Sequence, residues 1–165
     1  MTDERLGDRL FEAIDRLPVG AGIVFRHYSL AEDERRALFE RVKARRADTL
    51  LLLAGPAAQA RAWGADGSHG RGPGEGPRTA PAHDRAELRA AEEAGANLVF
   101  LSPVFATRSH PRAPLIGAKG FEALARQARL PVVALGGMNE HRFQGLAGAY
   151  GWAGIDAWAG PQTID

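Results

Sequence analysis

The chain predicts an α/β fold, a TIM-type (β/α)8 barrel, on three observations. Short apolar runs alternate with stretches of helical periodicity from Gly22 to the end, the pattern of a parallel sheet covered by helices. Thr49 to Ala54 is Leu-rich and almost continuously apolar, as a strand buried on both faces must be. Leu98 to Leu101 opens into Ser102-Pro103 and a long turn rich in hydroxyls, Arg and His, with a helix predicted from about Gly117. A rigid strand that delivers a polar loop and then a helix is how a barrel builds one wall of a site.

Each element has its own signal. Leu6, Leu10, Phe11, Ile14 and Leu17 recur at helical spacing and predict a helix over 4–17, stopped by Pro18. Gly22 to Tyr28 is a strand. Ser29 with Glu32 reads as a capping box for a helix over 30–46. After the strand ending at Ala54, Gly55-Pro56 leads to a short Ala-rich helix reaching Trp63. Ser68-His69 belong to a short strand. Residues 70–81, with four glycines and three prolines, cannot carry a helix and read as a loop. Asp84 and Glu87 cap the next helix, which Gly95 closes. Strand 97–101, helix 117–128, strand 131–135, helix 139–148 and a last strand from Gly154 to Trp158 complete the single domain, 1–165.

Composition narrows the function. Net charge is +1 among 165 residues, which gives no electrostatic case for nucleic acid or a membrane surface. There is no cysteine, so thiol nucleophiles and Cys-ligated zinc are excluded. No apolar run approaches the roughly 18–20 residues that span a bilayer, and the charged N-terminus is unlike a signal peptide; a cytoplasmic location is the default expectation. The only lysines are Lys43 and Lys119, neither at a strand end, which argues against a Schiff-base aldolase.

In a barrel, the loops after the strands make the site. The polar residues expected there are Arg26, His27 and Tyr28; His69, Gly70 and Arg71; Pro81, His83 and Asp84; Ser102, Thr107, Arg108, Ser109 and His110; Gly136, Gly137 and Asn139; and Ala157 to Gly160. Glycines at the last strand ends suit phosphate, because bare backbone N–H groups can approach its oxygens and a following helix N-terminus adds a favourable field. Gly136-Gly137 fits that; it also fits a plain strand-to-helix turn. His69, His83 and His110 can carry protons near neutral pH.

The run Ser102-Pro103-Val104-Phe105-Ala106-Thr107 and the run Pro131-Val132-Val133-Ala134-Leu135-Gly136-Gly137-Met138 resemble the thiamine phosphate synthase/TenI family. That enzyme joins a pyrimidine pyrophosphate to a thiazole phosphate and uses magnesium. The resemblance implies that Thr107, Ser109, Gly136 and Gly137 hold a thiazole phosphate. It implies catalytic roles for Arg26, His83 and His110, with Arg26 standing where the family grips the pyrophosphate. Magnesium is expected for the family, yet its carboxylate ligands are absent: Ala54-Gly55-Pro56 stands where Asn-Asp-Arg is expected, and Arg71-Gly72-Pro73 follows the fourth strand's His69-Gly70. No metal ligand is therefore assigned. Pyrophosphate would have to be met by Arg26, Arg71, Arg108 or His110. The TenI branch, a thiazole tautomerase, needs no such group, but its acid/base His falls at Pro103.

The expectation is a protein of thiamine biosynthesis that binds a small phosphorylated heterocycle. As an enzyme it would be a transferase of the synthase type or a TenI-like tautomerase; the alternative is a non-catalytic phosphate-ligand-binding or partner protein of the same descent. A complete barrel has eight strands and about 250 residues. The resemblance places Thr2-Asp3 at the end of a first strand, so the barrel is expected to lack that strand and the last helix. A start codon set inside the first strand accounts for this; a reduced barrel whose seam is covered by a second copy in a homo-oligomer is the other account.

Overall fold

The computed structural model describes residues 1–46, 48–109 and 111–160. A 3-10 helix, Glu4–Arg9, runs into α1, Leu10–Asp15. Where one helix over 4–17 is predicted, Gly7 adopts φ +49° and divides it. Then come β1 (Gly22–Phe25), α2 (Glu32–Arg45), β2 (Leu50–Ala54), α3 (Ala57–Ala62), β3 (Gly67–His69), β4 (Arg78–Ala82) and α4 (Arg85–Glu93). The chain continues with β5 (Leu98–Leu101), α5 (Gly117–Ala125), β6 (Val132–Leu135), α6 (Glu140–Gln144) and β7 (Gly151–Ala153).

Four expectations need correction. Ser29 does not cap α2, whose N-cap is Ala31; its backbone N–H and hydroxyl both go to the Glu4 carboxylate, at 2.8 and 2.5 Å. The Gly/Pro stretch 70–81 is not loop throughout, because β4 begins at Arg78, where Asn97 Oδ1 accepts the Arg78 N–H at 2.8 Å. The helix over 139–148 shrinks to α6, ended near Gly145. The last strand is 151–153 and not 154–158, since Gly151, Trp152 and Ala153 are the residues that pair with Val133, Ala134 and Leu135. Asp84 does cap α4, accepting the Glu87 N–H at 2.9 Å.

The strands form one sheet in sequential order, every neighbouring pair parallel. The Met1 amine donates to Gly154 O, just past β7, at 3.2 Å, and Thr2 N to Val24 O in β1 at 2.9 Å. One two-residue segment can reach both end strands only if the sheet curls round on itself. The described residues thus give a seven-stranded, barrel-like parallel fold with Met1 and Thr2 in the gap, and not a complete eight-stranded ring.

Side chains sort by the two-residue period of the strands. Ile23, Phe25, Leu51 and Leu53 face outward against α1, α2 and α3, with Phe39, Val42 and Trp63. Val99, Leu101, Val132 and Ala134 face outward among Leu88, Phe121 and Leu146. The intervening Val24, Ala54, Phe100 and Val133 fill the interior. Trp152 packs on the second outer cluster and Trp158 on the first. Their rings stack at 5.0 Å and 11°, so an aromatic pair joins the two outer cores across the gap between β7 and β1.

Candidate active site

Continuing the inward series past each strand end gives the site. Arg26 follows Val24, Ser102 follows Phe100, Leu135 and Gly137 follow Val133, and Ile155 follows Ala153. All of these, with His69, His83, Thr107, Ser109 and Gly136, line one cavity of about 780 Å³ at the C-terminal ends of the strands. Hydroxyls and glycines from different loops therefore converge. His27, one residue past Arg26, points the other way: it stacks on Phe25 at 4.7 Å, and its Nδ1 lies 3.1 Å from Thr2 Oγ1. His110 lies outside the described residues.

The loop that carries Thr107 and Ser109 is pinned at its base. Val104 N donates to Leu135 O at 2.9 Å and Phe105 N to Gly136 O at 3.1 Å, extending the ladder beyond β5 and β6. Ile116 N and Gly117 N return to Pro103 O and Val104 O. This close docking is why Gly136 and Gly137 are glycines. Both have positive φ, +94° and +60°, and a methyl group on either would collide with the 103–106 backbone. The field of a helix N-terminus adds little, because α6 has five residues and Asn139 already accepts the Arg142 N–H at 2.9 Å. Ser109 Oγ accepts from Arg5 Nη2 at 2.7 Å, so its own proton remains available for an acceptor in the cavity.

His83 and His69 differ. His83 Nδ1 lies 2.6 Å from Ser102 O. A carbonyl only accepts, so Nδ1 carries the proton and, in the neutral ring, Nε2 is the basic atom. His69 Nδ1 lies 2.9 Å from Thr79 Oγ1, and its ring meets Phe100 edge-on at 5.3 Å. Burial, and then the Arg26 guanidinium, push the His69 imidazolium down to about 4, so it is neutral at physiological pH.

The cations expected at the site are not equivalent, and Arg71 does not line the cavity. Arg71 pairs with Glu87 at 2.8 Å. Arg108 reaches both oxygens of Asp156, each at 3.2 Å. The Arg26 backbone N–H donates to Thr2 Oγ1 at 2.9 Å, while its guanidinium meets Met1 Sδ at 3.9 Å and forms no ion pair among the described residues. Asp156 was not anticipated from the sequence; the shift of β7 by three residues brings Gly154 to Ala157 to the cavity, so that of the expected Ala157 to Gly160 only Ala157 lines it.

The magnesium that the family resemblance implies does not fit this donor set. Among the described residues no three His, Asp or Glu side chains gather as a metal site. Of the cavity carboxylates, Asp84 caps α4 and Asp156 is bound by Arg108. At the end of β2, Arg35 occupies the neighbourhood instead. It is 8% exposed, donates to Ala54 O at 2.6 Å and lies against Phe25, Tyr28 and Trp63. No helix among the described residues is long and apolar enough to cross a membrane.

Comparison with known proteins agrees with this geometry. The thiamine monophosphate synthase family model matches residues 79–158, from β4 to the loop after β7. A candidate second thiamine-phosphate synthase of Aquifex aeolicus is 41% identical over 76 residues, covering 45% of this chain and 41% of that protein. The thiamine-phosphate synthase of Syntrophomonas wolfei is 34% identical over 84 residues, covering 49% of this chain and 40% of that protein. The matched part is thus less than half the length of these relatives. Thiamine phosphate pyrophosphorylase from Pyrococcus furiosus superposes on 99% of this chain and 87% of its own, with a TM-score of 0.80 and 25% identity. A thiamine phosphate pyrophosphorylase from Bacteroides thetaiotaomicron, at TM-score 0.65 and 15% identity, shares the fold. The sequence match from β4 onward, joined to a structural match along the whole chain, makes this protein similar to the thiamine phosphate synthase/TenI family, in sequence over residues 79–158 and in fold throughout.

Proposed function

We propose that the chain binds a thiazole-phosphate-like ligand at the mouth of the barrel, within thiamine biosynthesis. The observation that carries this reading is the convergence of Thr107, Ser109, Gly136 and Gly137 on the same cavity as Arg26, His69 and His83. The ligand's phosphate would take the Ser109 and Thr107 hydroxyls, while its ring would lie toward Leu135 and Ile155. His83 would act as a general base through Nε2. The family match supports the reading where it falls, since it spans the loops that carry His83, Thr107, Ser109, Gly136 and Gly137 and leaves Arg26 and His69 outside.

Proton transfer on a bound heterocycle, of the tautomerase kind, suits the histidines better than transfer with pyrophosphate release. The latter needs a metal clamp that these residues do not offer. The second reading is a binding protein without turnover, favoured by the same lack of carboxylates. Supplying both thiamine precursors with magnesium and following thiamine phosphate tests transfer. Supplying a thiazole phosphate tautomer alone and following its ultraviolet spectrum tests isomerisation. Calorimetric binding without product selects the binding protein, and no binding of thiazole phosphate removes both readings.

A further inference from the structure

We infer that this cavity takes its anion without a divalent cation, through guanidinium groups that replace metal on the β1–β3 side. The inference rests on the phosphate-binding reading of the cavity and says how charge is met there. Three strand ends carry it. After β1 stands Arg26, lining the cavity, its guanidinium with a thioether as hydrogen-bond partner among the described residues. At the end of β2, Arg35 holds the Ala54 carbonyl at 2.6 Å. Ala54 O therefore already receives a fixed positive charge where a hard cation would need oxygen donors. Arg35 Nε is the one buried side-chain polar atom among the described residues without a hydrogen bond, so this guanidinium has a donor to spare at the end of β2. After β3, His69 is a neutral imidazole held to Thr79, and Arg71 is turned to Glu87.

A divalent ion placed among these groups would meet repulsion from the guanidinium groups, and the Asp3 carboxylate that feels the Arg26 charge is already held by Arg5 at 2.8 Å. An anion would meet Arg26. The side chain is planar and permanently charged, and it can offer two parallel N–H groups to one phosphate. The ligand class that follows is a phosphate ester in its free anionic form, not a magnesium-chelated diphosphate.

The test is equilibrium binding of inorganic phosphate to the full chain, once in chelator and once in millimolar magnesium at fixed ionic strength. Wild type is expected to bind equally in both, within about twofold. Arg26→Gln is expected to lose at least tenfold in both, and Arg26→Lys to recover part of it. Arg71→Gln should leave affinity unchanged, and circular dichroism should match wild type for each variant. An affinity that rises tenfold with magnesium, or Arg26→Gln binding as wild type does, overturns the inference and leaves the cavity reading intact. Absence of phosphate binding in every condition overturns both.

Discussion

A methyl carbon added to Gly136 would lie 2.7 Å from the Cα of Pro103. The loop after β5 therefore rests directly on the backbone of the loop after β6, and Gly136 also holds φ +94°. Gly136→Ala adds backbone strain and a clash with main chain that cannot swing aside. The expected loss is about 3 kcal/mol of unfolding free energy, read by urea denaturation. If the phosphate-binding reading is right, ligand affinity falls too, because Thr107 and Ser109 move with the displaced loop.

His69 makes stability depend on acid. Its native pKa is lowered to about 4 while an unfolded histidine titrates near 6.5. The unfolded chain then binds the extra proton first, so the contribution is fully present above about pH 6.5 and is lost as pH falls toward 4. At 1.36 kcal/mol for each unit, the loss is of order 3 kcal/mol. Chemical denaturation at pH 7 and pH 4.5 should show a steeper decline in wild type than in His69→Gln. His27, lowered chiefly by its burial, adds in the same direction.

Arg35 is a packing residue as much as a charge. Its guanidinium lies 5.3 Å from the Trp63 ring centroid and 5.6 Å from that of Tyr28. Arg35→Ala empties this space and leaves Ala54 O without its donor, with an expected cost of about 2–4 kcal/mol. Arg35→Met restores volume but not the donor and should recover part of the loss. Thermal melts of the two variants against wild type check the order.

The Trp152–Trp158 stack joins the two outer cores, and such pairs contribute about 0.5–1.5 kcal/mol beyond their burial. Trp158→Ala should lower stability by about 3 kcal/mol once lost burial is included. It should also abolish the near-ultraviolet circular dichroism of the coupled indoles. Retention of that signal would place its origin elsewhere.

Much of this was legible before any coordinates. The continuous apolar run at Leu50–Ala54 and the alternation of runs with helical periods correctly implied parallel strands under helices, and Asp84 and Gly95 marked the limits of α4. What failed was local and had physical causes. Gly154–Trp158 looked more strand-like than Gly151–Ala153, yet pairing with β6 decided the register. Ser29 had cap chemistry, but Glu4, distant in sequence, took its hydrogen bonds. Strand β4 hid behind Pro77 and Pro81 because its bonding is to neighbours on either side, which composition does not report. The period-two rule that carries Val24 into Arg26 and Phe100 into Ser102 was available in the sequence. The buried Arg35 was not, because its partners come from β1, β2 and α3.

The central claim is that the hydroxyls after β5 and the glycines after β6 form one anion-binding mouth together with Arg26. Backbone amide chemical shifts of the 15N-labelled full chain, followed during titration with thiazole phosphate, test it most directly. The amides of Arg26, Thr107, Ser109, Gly136 and Gly137 should move together and saturate with a single dissociation constant. Shifts confined to residues outside the cavity, or none at millimolar ligand, would contradict the claim.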